Sequence, residues 1–242
     1  MKIAFVTGGS GGIGSAVCLK LASDGFAVAV GYNKDAASAE ALCKELSAQG
    51  HVAMPVHIDL SDPGSVREAY DSVVSGLGYP EVLVNNGGAA HIGLFSDMSF
   101  EDITCLLDTD LTGAVLLTRL AVPEMTRRHR GRIVNVSSVW GETGASCETV
   151  YSAAKAGLIG FTRALGKELA PSGITVNCVS AGAVDTKMNA CLSPDELEEL
   201  VSQIPAGRLG EPREIAALVS FLCSDDAAYI TAQVIRADGG WI

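Results

Sequence analysis

A tyrosine and a lysine four residues apart, Tyr151-Ser-Ala-Ala-Lys155, form the pair in this sequence best suited to moving a proton. On a helix, positions i and i+4 lie one above the other on the same face. A free phenol titrates at about pH 10, and a neighbouring ammonium favours the phenolate and lowers that value. The spacing therefore predicts a tyrosine acid or base whose pKa Lys155 draws toward the working range. Such pairs also arise by chance, and two further features single this one out. Ser138 follows the strand-like run Gly131-Arg-Ile-Val-Asn-Val-Ser137 and offers a hydroxyl to a carbonyl oxygen. Thr7-Gly-Gly-Ser-Gly-Gly-Ile-Gly14 is a glycine-rich turn of the kind that lets backbone approach a phosphate.

These residues need a scaffold, and the chain supplies one. Short apolar runs at 3–7, 27–32, 52–58, 82–85, 132–137, 175–180 and 233–237 alternate with amphipathic stretches. The longest of these are 13–23, 36–49, 66–76, 101–128, 150–170 and 212–223. Continuous apolar strands separated by helices predict a parallel sheet covered on both faces. The expected fold is a Rossmann-type, doubly wound α/β domain of about seven strands, with residues 1–242 as one domain. Residues 181–208 are the least regular long stretch, expected as a lid. A short helix is expected at 194–202 within it, with Ser193 as N-cap.

Composition excludes several classes. The chain has 242 residues, 48% of them hydrophobic, and a net charge of −11. That is a globular composition, and the charge argues against nucleic-acid binding. No apolar run is long enough to span a membrane. A strand-like run begins at Lys2, which leaves no room for a signal peptide, so the expected location is the cytoplasm. Seven scattered cysteines without a C-x-x-C pair read as reduced thiols, and no metal site is expected.

The turn at residues 7–14 falls between the first strand and the first helix, where a dinucleotide fold places its phosphate loop. Its expected cofactor contacts are Gly8, Ser10, Gly11, Gly12, Ile13 and Gly14. The second strand ends at Tyr32, Asn33 and Lys34 without the carboxylate that an NAD-selective site uses for the ribose. Asn33 and Lys34 offer a 2′-phosphate a donor and a cation, which favours NADPH over NADH; the other reading of Lys34 is a solvated lysine. Asp59, followed by Leu60, can accept from an adenine amino group, and Ser61-Asp62 can start the next helix. Asn86, Gly87 and Gly88 close the fourth strand, where two glycines permit close approach to a ligand.

Taken together, these motifs resemble the short-chain dehydrogenase/reductase family over the whole chain. Thr7–Gly14 is similar to its cofactor turn and Asn85-Asn-Gly-Gly88 to its Asn-Asn-Ala-Gly segment. Ser138, Tyr151 and Lys155 match its catalytic triad in type, order and spacing. Gly182, Val184 and Thr186 lie in a segment resembling the one that clasps the nicotinamide carboxamide. The closing Asp238-Gly-Gly240 resembles the family's C-terminal turn. Three positions depart from the pattern. Asp110 replaces an asparagine whose backbone carbonyl holds a water in the proton relay, Ala181 replaces a common proline, and Gly11 replaces a basic residue frequent in NADPH-using members.

The overall pattern is most similar to bacterial 3-oxoacyl-acyl-carrier-protein reductases. Residues 137–148, with 170–177 and the closing Gly-Gly-Trp241, resemble a smaller branch, the elongation factor P 5-aminopentanone reductases. The resemblance implies an NADPH-dependent ketone reductase, with Ser138, Tyr151, Lys155 and Asp110 as its catalytic residues. It also implies a ketone carried on acyl-carrier protein or on elongation factor P, and a homotetramer built on the helices at 101–128 and 150–170.

Trp140, Glu142 and Glu148 lie between Ser138 and Tyr151, where a substrate should pass. A carboxylate there would suit a substrate bearing an ammonium. A competing signal is the basic run Arg127-Arg-His-Arg-Gly-Arg132, which either docks an acidic carrier protein or answers a helix C-terminus. A rival of another class, a cofactor sensor without chemistry, has Asp110 in its favour and the intact triad against it.

Overall fold

The structure is a computed structural model that describes residues 1–187 and 193–242. Cys191 and part of the expected lid lie outside the described residues. Seven strands form one parallel sheet: β1 Lys2–Val6, β2 Phe26–Tyr32, β3 Ala53–His57, β4 Val82–Asn85, β5 Gly131–Ser138, β6 Ile174–Ala181 and β7 Val234–Ala237. Their order is β3-β2-β1-β4-β5-β6-β7. Every residue of β5 and β6 is buried, as strands covered on both faces require. The order reverses between β1 and β4, and a crevice opens beyond the strand ends at such a switch point.

The helices are α1 Gly12–Ser23, α2 Ala36–Ala48, α3 Pro63–Gly76, α4 Phe100–Leu107, α5 Gly113–Arg128, α6 Trp140–Thr143, α7 Thr149–Leu169, α8 Pro194–Ser202 and α9 Pro212–Cys223. Val17 and Leu21 of α1, Leu42 and Leu46 of α2, and Ile215 and Val219 of α9 pack on one face of the sheet. Val66 and Tyr70 of α3, Leu117 and Met125 of α5, and Leu169 of α7 pack on the other.

Local chemistry sets the helix starts. Asp35, Asp62 and Ser99 accept backbone N–H groups at the heads of α2, α3 and α4. Ser193 caps α8 in a reciprocal box with Glu196, the N-cap expected from sequence. The amphipathic stretch at 101–128 is not one helix. A π turn, Asp108–Thr112, separates α4 from α5 and carries Asp110 inward. Apolar periodicity continues across such a widened turn, so the pattern alone did not reveal it.

Candidate active site

The glycine turn leaves β1 and enters α1. Gly8 adopts a left-handed φ of +63°. A Cβ on Gly14 would lie 2.0 Å from the Gly8 carbonyl oxygen, so only glycine closes this turn. Gly11 occupies the N-cap of α1 without a side-chain cap, and no acidic residue lies in the first turn. The helix therefore presents unpaired N–H groups and its positive end to an anion, as a pyrophosphate requires. Ser10 is half-buried in the turn, and Ile13 packs back onto the core.

The other expected cofactor residues converge on this turn. Asn86 Nδ2 donates to the carbonyls of Thr7 and Gly8 at 3.0 and 3.2 Å. Asn85 donates to Asn135 on β5 at 2.8 Å, tying β4 to its neighbour. Leu60 packs against Gly87, where an added Cβ would lie 2.6 Å from its Cδ1. Thr186 lies over the start of α1, its Cγ2 2.6 Å from a Cβ built on Gly12. Gly182 abuts Asp238 of the C-terminal turn, and Val184 is buried in a bridge to Gly210. This cradle fits a dinucleotide: its glycines leave the space and its helix end the donors.

At the tip of β2, Tyr32 packs edge-on against His57, and Asn33 and Lys34 are exposed. Asp59 takes the N–H and hydroxyl of Ser61 at 3.0 and 2.7 Å, with Asn33 beside it. Those bonds hold its carboxyl below the usual range. The next carboxylate after β2, Asp35, is occupied in capping α2.

The expected triad comes together where β5 ends and α7 begins. Ser138 and Tyr151 are buried, and the Ser138 hydroxyl favours the ionised form of the phenol. Ser138 Oγ accepts from Trp140 N at 3.2 Å, leaving its own proton to donate. Lys155 is buried one turn along α7, its Nζ 5.4 Å from the centre of the Tyr151 ring. Ser137 donates to the Lys155 carbonyl at 3.0 Å and fixes α7 to β5.

The pKa expectation for Tyr151 needs correcting. Burial pushes the phenol above its usual value and outweighs the opposing pull of Lys155, and the Asp110 carboxylate adds to the rise. Burial would lower the Lys155 ammonium, yet Asp110 and Tyr151 hold it above its usual value. Asp110 Oδ2 lies 3.0 Å from Lys155 Nζ, and Oδ1 accepts from Ala89 N at 2.7 Å.

Of the two expected substrate carboxylates, Glu142 is already engaged. Arg236 contacts it at 2.9 Å and Ser180 donates to it at 2.6 Å, which lowers its pKa. Glu148 is half-buried, with the Trp140 indole beside it favouring its charged form, and has no cation partner among the described residues. Burial raises its pKa. Trp140 packs edge-to-face on Trp241 at 4.8 Å. The sequence reading missed Arg236 as the partner of Glu142. The two are 94 residues apart, and only the β6–β7 pairing brings them together.

The basic run lies elsewhere. Arg127 and Arg128 pair with Glu124, while Arg130 pairs with Glu81 and Asp225. Arg132 is buried, with Asp225 and backbone carbonyls as partners. These residues stand at the start of β5, and Ser138 ends it, six residues beyond Arg132, or roughly 20 Å at the rise of a strand.

Known proteins resemble this chain over nearly its whole length. A family model described as Enoyl-(Acyl carrier protein) reductase matches residues 8–242. An uncharacterized oxidoreductase of Bacillus subtilis is 42% identical over 99% of this chain and 98% of its own. A 3-oxoacyl-acyl-carrier-protein reductase of Staphylococcus aureus is 40% identical over 99% of this chain and 97% of its own. The crystal structure of a candidate gluconate dehydrogenase from Agrobacterium tumefaciens superposes with a TM-score of 0.95 at 30% identity, over 99% of this chain and 95% of that one.

Proposed function

The chain belongs to the short-chain dehydrogenase/reductase family and is an NAD(P)H-dependent oxidoreductase, and from that premise we propose that it is an NADPH-dependent ketone reductase acting on a 3-oxoacyl group. The observation that carries this reading is the convergence of Ser138, Tyr151 and Lys155 at the end of β5, beside the glycine turn. The names of the relatives support the oxoacyl group. Residues 1–242 act as one cofactor-binding domain in this reading, and four copies assemble through α5 and α7.

When bound, the nicotinamide cofactor supplies the hydride. The chain's own residues do the rest. Ser138, its oxygen engaged by the Trp140 N–H, donates a hydrogen bond to the ketone oxygen, keeping its own proton, and stabilises the charge developing there. Tyr151 enters the reaction as a phenol, because burial keeps it protonated at neutral pH, and donates the proton that completes the alcohol. Lys155 steadies the phenolate left behind and would hold the ribose of a bound cofactor. Asn33 and Lys34 receive a 2′-phosphate, with Asp35 held away at the head of α2.

A second reading, reduction of an aminopentanone on elongation factor P, is favoured by Glu148. A half-buried carboxylate without a countercharge among the described residues, beside Trp140, suits a ligand ammonium better than a neutral thioester. A panel assay following NADPH absorbance tests both readings. Reduction of acetoacetyl thioesters, unaffected by Glu148→Gln, supports the first. A preference for an amino-ketone over its uncharged isostere, weakened by salt and by Glu148→Gln through KM, supports the second. Failure to reduce any activated ketone would sink both.

A further inference from the structure

Lys155 sits in the protein interior, and a lone ammonium there would draw Tyr151 toward the phenolate. Asp110 opposes it across the π turn. Its two oxygens face different partners, Lys155 Nζ at 3.0 Å and Ala89 N at 2.7 Å. An amide could not serve both, because with its oxygen on Ala89 N–H its NH2 would face the ammonium. Asp110 is 1% exposed and, among the described residues, its Oδ2 faces no donor but the Lys155 ammonium, so its negative charge is little screened and acts on Lys155. Gly88 completes the enclosure, since a Cβ there would lie 2.8 Å from Oδ2 and 3.0 Å from Nζ.

We propose that Asp110 is a charge-compensating positioning residue: it offsets the Lys155 ammonium, keeps Tyr151 loaded with its proton, and so extends ketone reduction to alkaline pH. The inference rests on the reductase reading above and deepens it. In the step concerned, the Tyr151 O–H bond breaks and its proton goes to the ketone oxygen, while the carbonyl carbon takes the hydride of the cofactor. Phenolate and alcohol remain, and solvent returns the proton.

The groups that set the Tyr151 proton come from four places. Lys155 lies on its own helix, Asp110 on the π turn, Ser138 on β5, and Glu148 ahead of α7. Lys155 and Ser138 favour the phenolate, and Asp110 and Glu148 disfavour it. Lys155 is faced in turn by Asp110, Tyr151 and Cys178 of β6. Leu106 and Ile103 of α4 and Trp140 of α6 pack against the phenol as uncharged neighbours. Asp110 thus acts twice, directly on the phenol and by answering the cation.

The test is the pH dependence of kcat/KM in both directions for the wild type and Asp110→Asn. A catalyst cannot shift the equilibrium, so one group must move both profiles together. In the variant, the alkaline fall of ketone reduction and the acid rise of alcohol oxidation should move to lower pH by about one unit. That is about tenfold less reduction on the alkaline side. Profiles that do not move would overturn the inference. Tyr151→Phe separates that outcome from failure of the reductase reading itself, since an inactive Tyr151→Phe leaves the reading intact and an active one removes it. Should Asp110→Asn not fold, ultraviolet titration of the wild type against Tyr151→Phe isolates this phenol. Read in the wild type and in Asp110→Ser, a lower ionisation pH on loss of the carboxylate supports the inference, and an unchanged one, as burial alone would give, overturns it.

Discussion

At the start of β5, four arginines meet three carboxylates, mostly in contact with water; at its end, one lysine meets one carboxylate out of water. The first group satisfies itself. Glu124 answers Arg127 and Arg128, and water screens what remains, so such pairs contribute little to stability. The second group cannot be screened. Asp110 and Lys155 have given up water, and each depends on the other and on the Ala89 N–H. Charge by itself therefore says little about function here; its surroundings decide whether it can alter a neighbour's proton. The buried pair faces its phenol out of water, while the exposed group meets one, Tyr79 under Arg128, where solvent screens the contact.

Removing that phenol should break the comparison most severely. Tyr151→Phe deletes the proton that the proposed mechanism delivers to the ketone, and kcat should fall by about two to four orders of magnitude. NADPH titration by fluorescence should still show binding, because the glycine turn and the head of α1 are untouched. A variant retaining more than a few per cent of the rate would mean that another group donates the proton.

Lys155→Met leaves Asp110 buried without its countercharge. Breaking a buried pair costs about 3–5 kcal/mol, so the urea midpoint should drop well below that of the wild type. Adding Asp110→Asn to the same chain should restore part of the loss, since the amide keeps the Ala89 contact without a charge. If the double variant were no more stable than the single one, the destabilisation would come from lost packing around the lysine stem.

Much of this was legible before the structure. The glycine turn, the strand that ends at Ser138 and the Tyr151–Lys155 spacing are local patterns, and local geometry placed them correctly. Ser193 and Asp62 read as caps because an N-cap needs only its own next residues. What stayed hidden was long-range. Asp110 meets Lys155 across 45 positions, and Glu142 meets Arg236 across 94. No spacing rule reaches that far. The sign of the Tyr151 shift was missed for the same reason: the lysine was visible in the sequence, while the burial and the carboxylate opposing it were properties of the folded site.

Lys34 shows when an exposed cation can matter. It is solvated like Arg127 and no protein carboxylate pairs with it among the described residues, but a 2′-phosphate would bring the missing anion. Lys34→Ala should raise KM for NADPH about tenfold, about 1.4 kcal/mol, and leave KM for NADH nearly unchanged. Equal KM values for both cofactors in the wild type would remove the 2′-phosphate from the account.

The smallest effect belongs to the arginines of the other end, and it bears on how a substrate arrives. Were the basic run a docking site for an acidic carrier protein, Arg128→Ala would raise KM for a carrier-linked oxoacyl group while sparing the free thioester, and added salt would mimic the substitution. The geometry argues otherwise. Arg128 already pairs with Glu124 and lies over the Tyr79 ring, and the run sits roughly 20 Å along β5 from Ser138. A tethered ketone reaching Ser138 has to enter at the strand ends, where Trp140, Glu148 and Trp241 stand. Arg128→Ala should therefore leave kcat/KM for linked and free substrates in the same ratio as in the wild type, and the urea midpoint unchanged within error. A selective loss for the linked substrate would move the docking surface to the start of β5 and give this self-satisfied cluster a role outside the molecule.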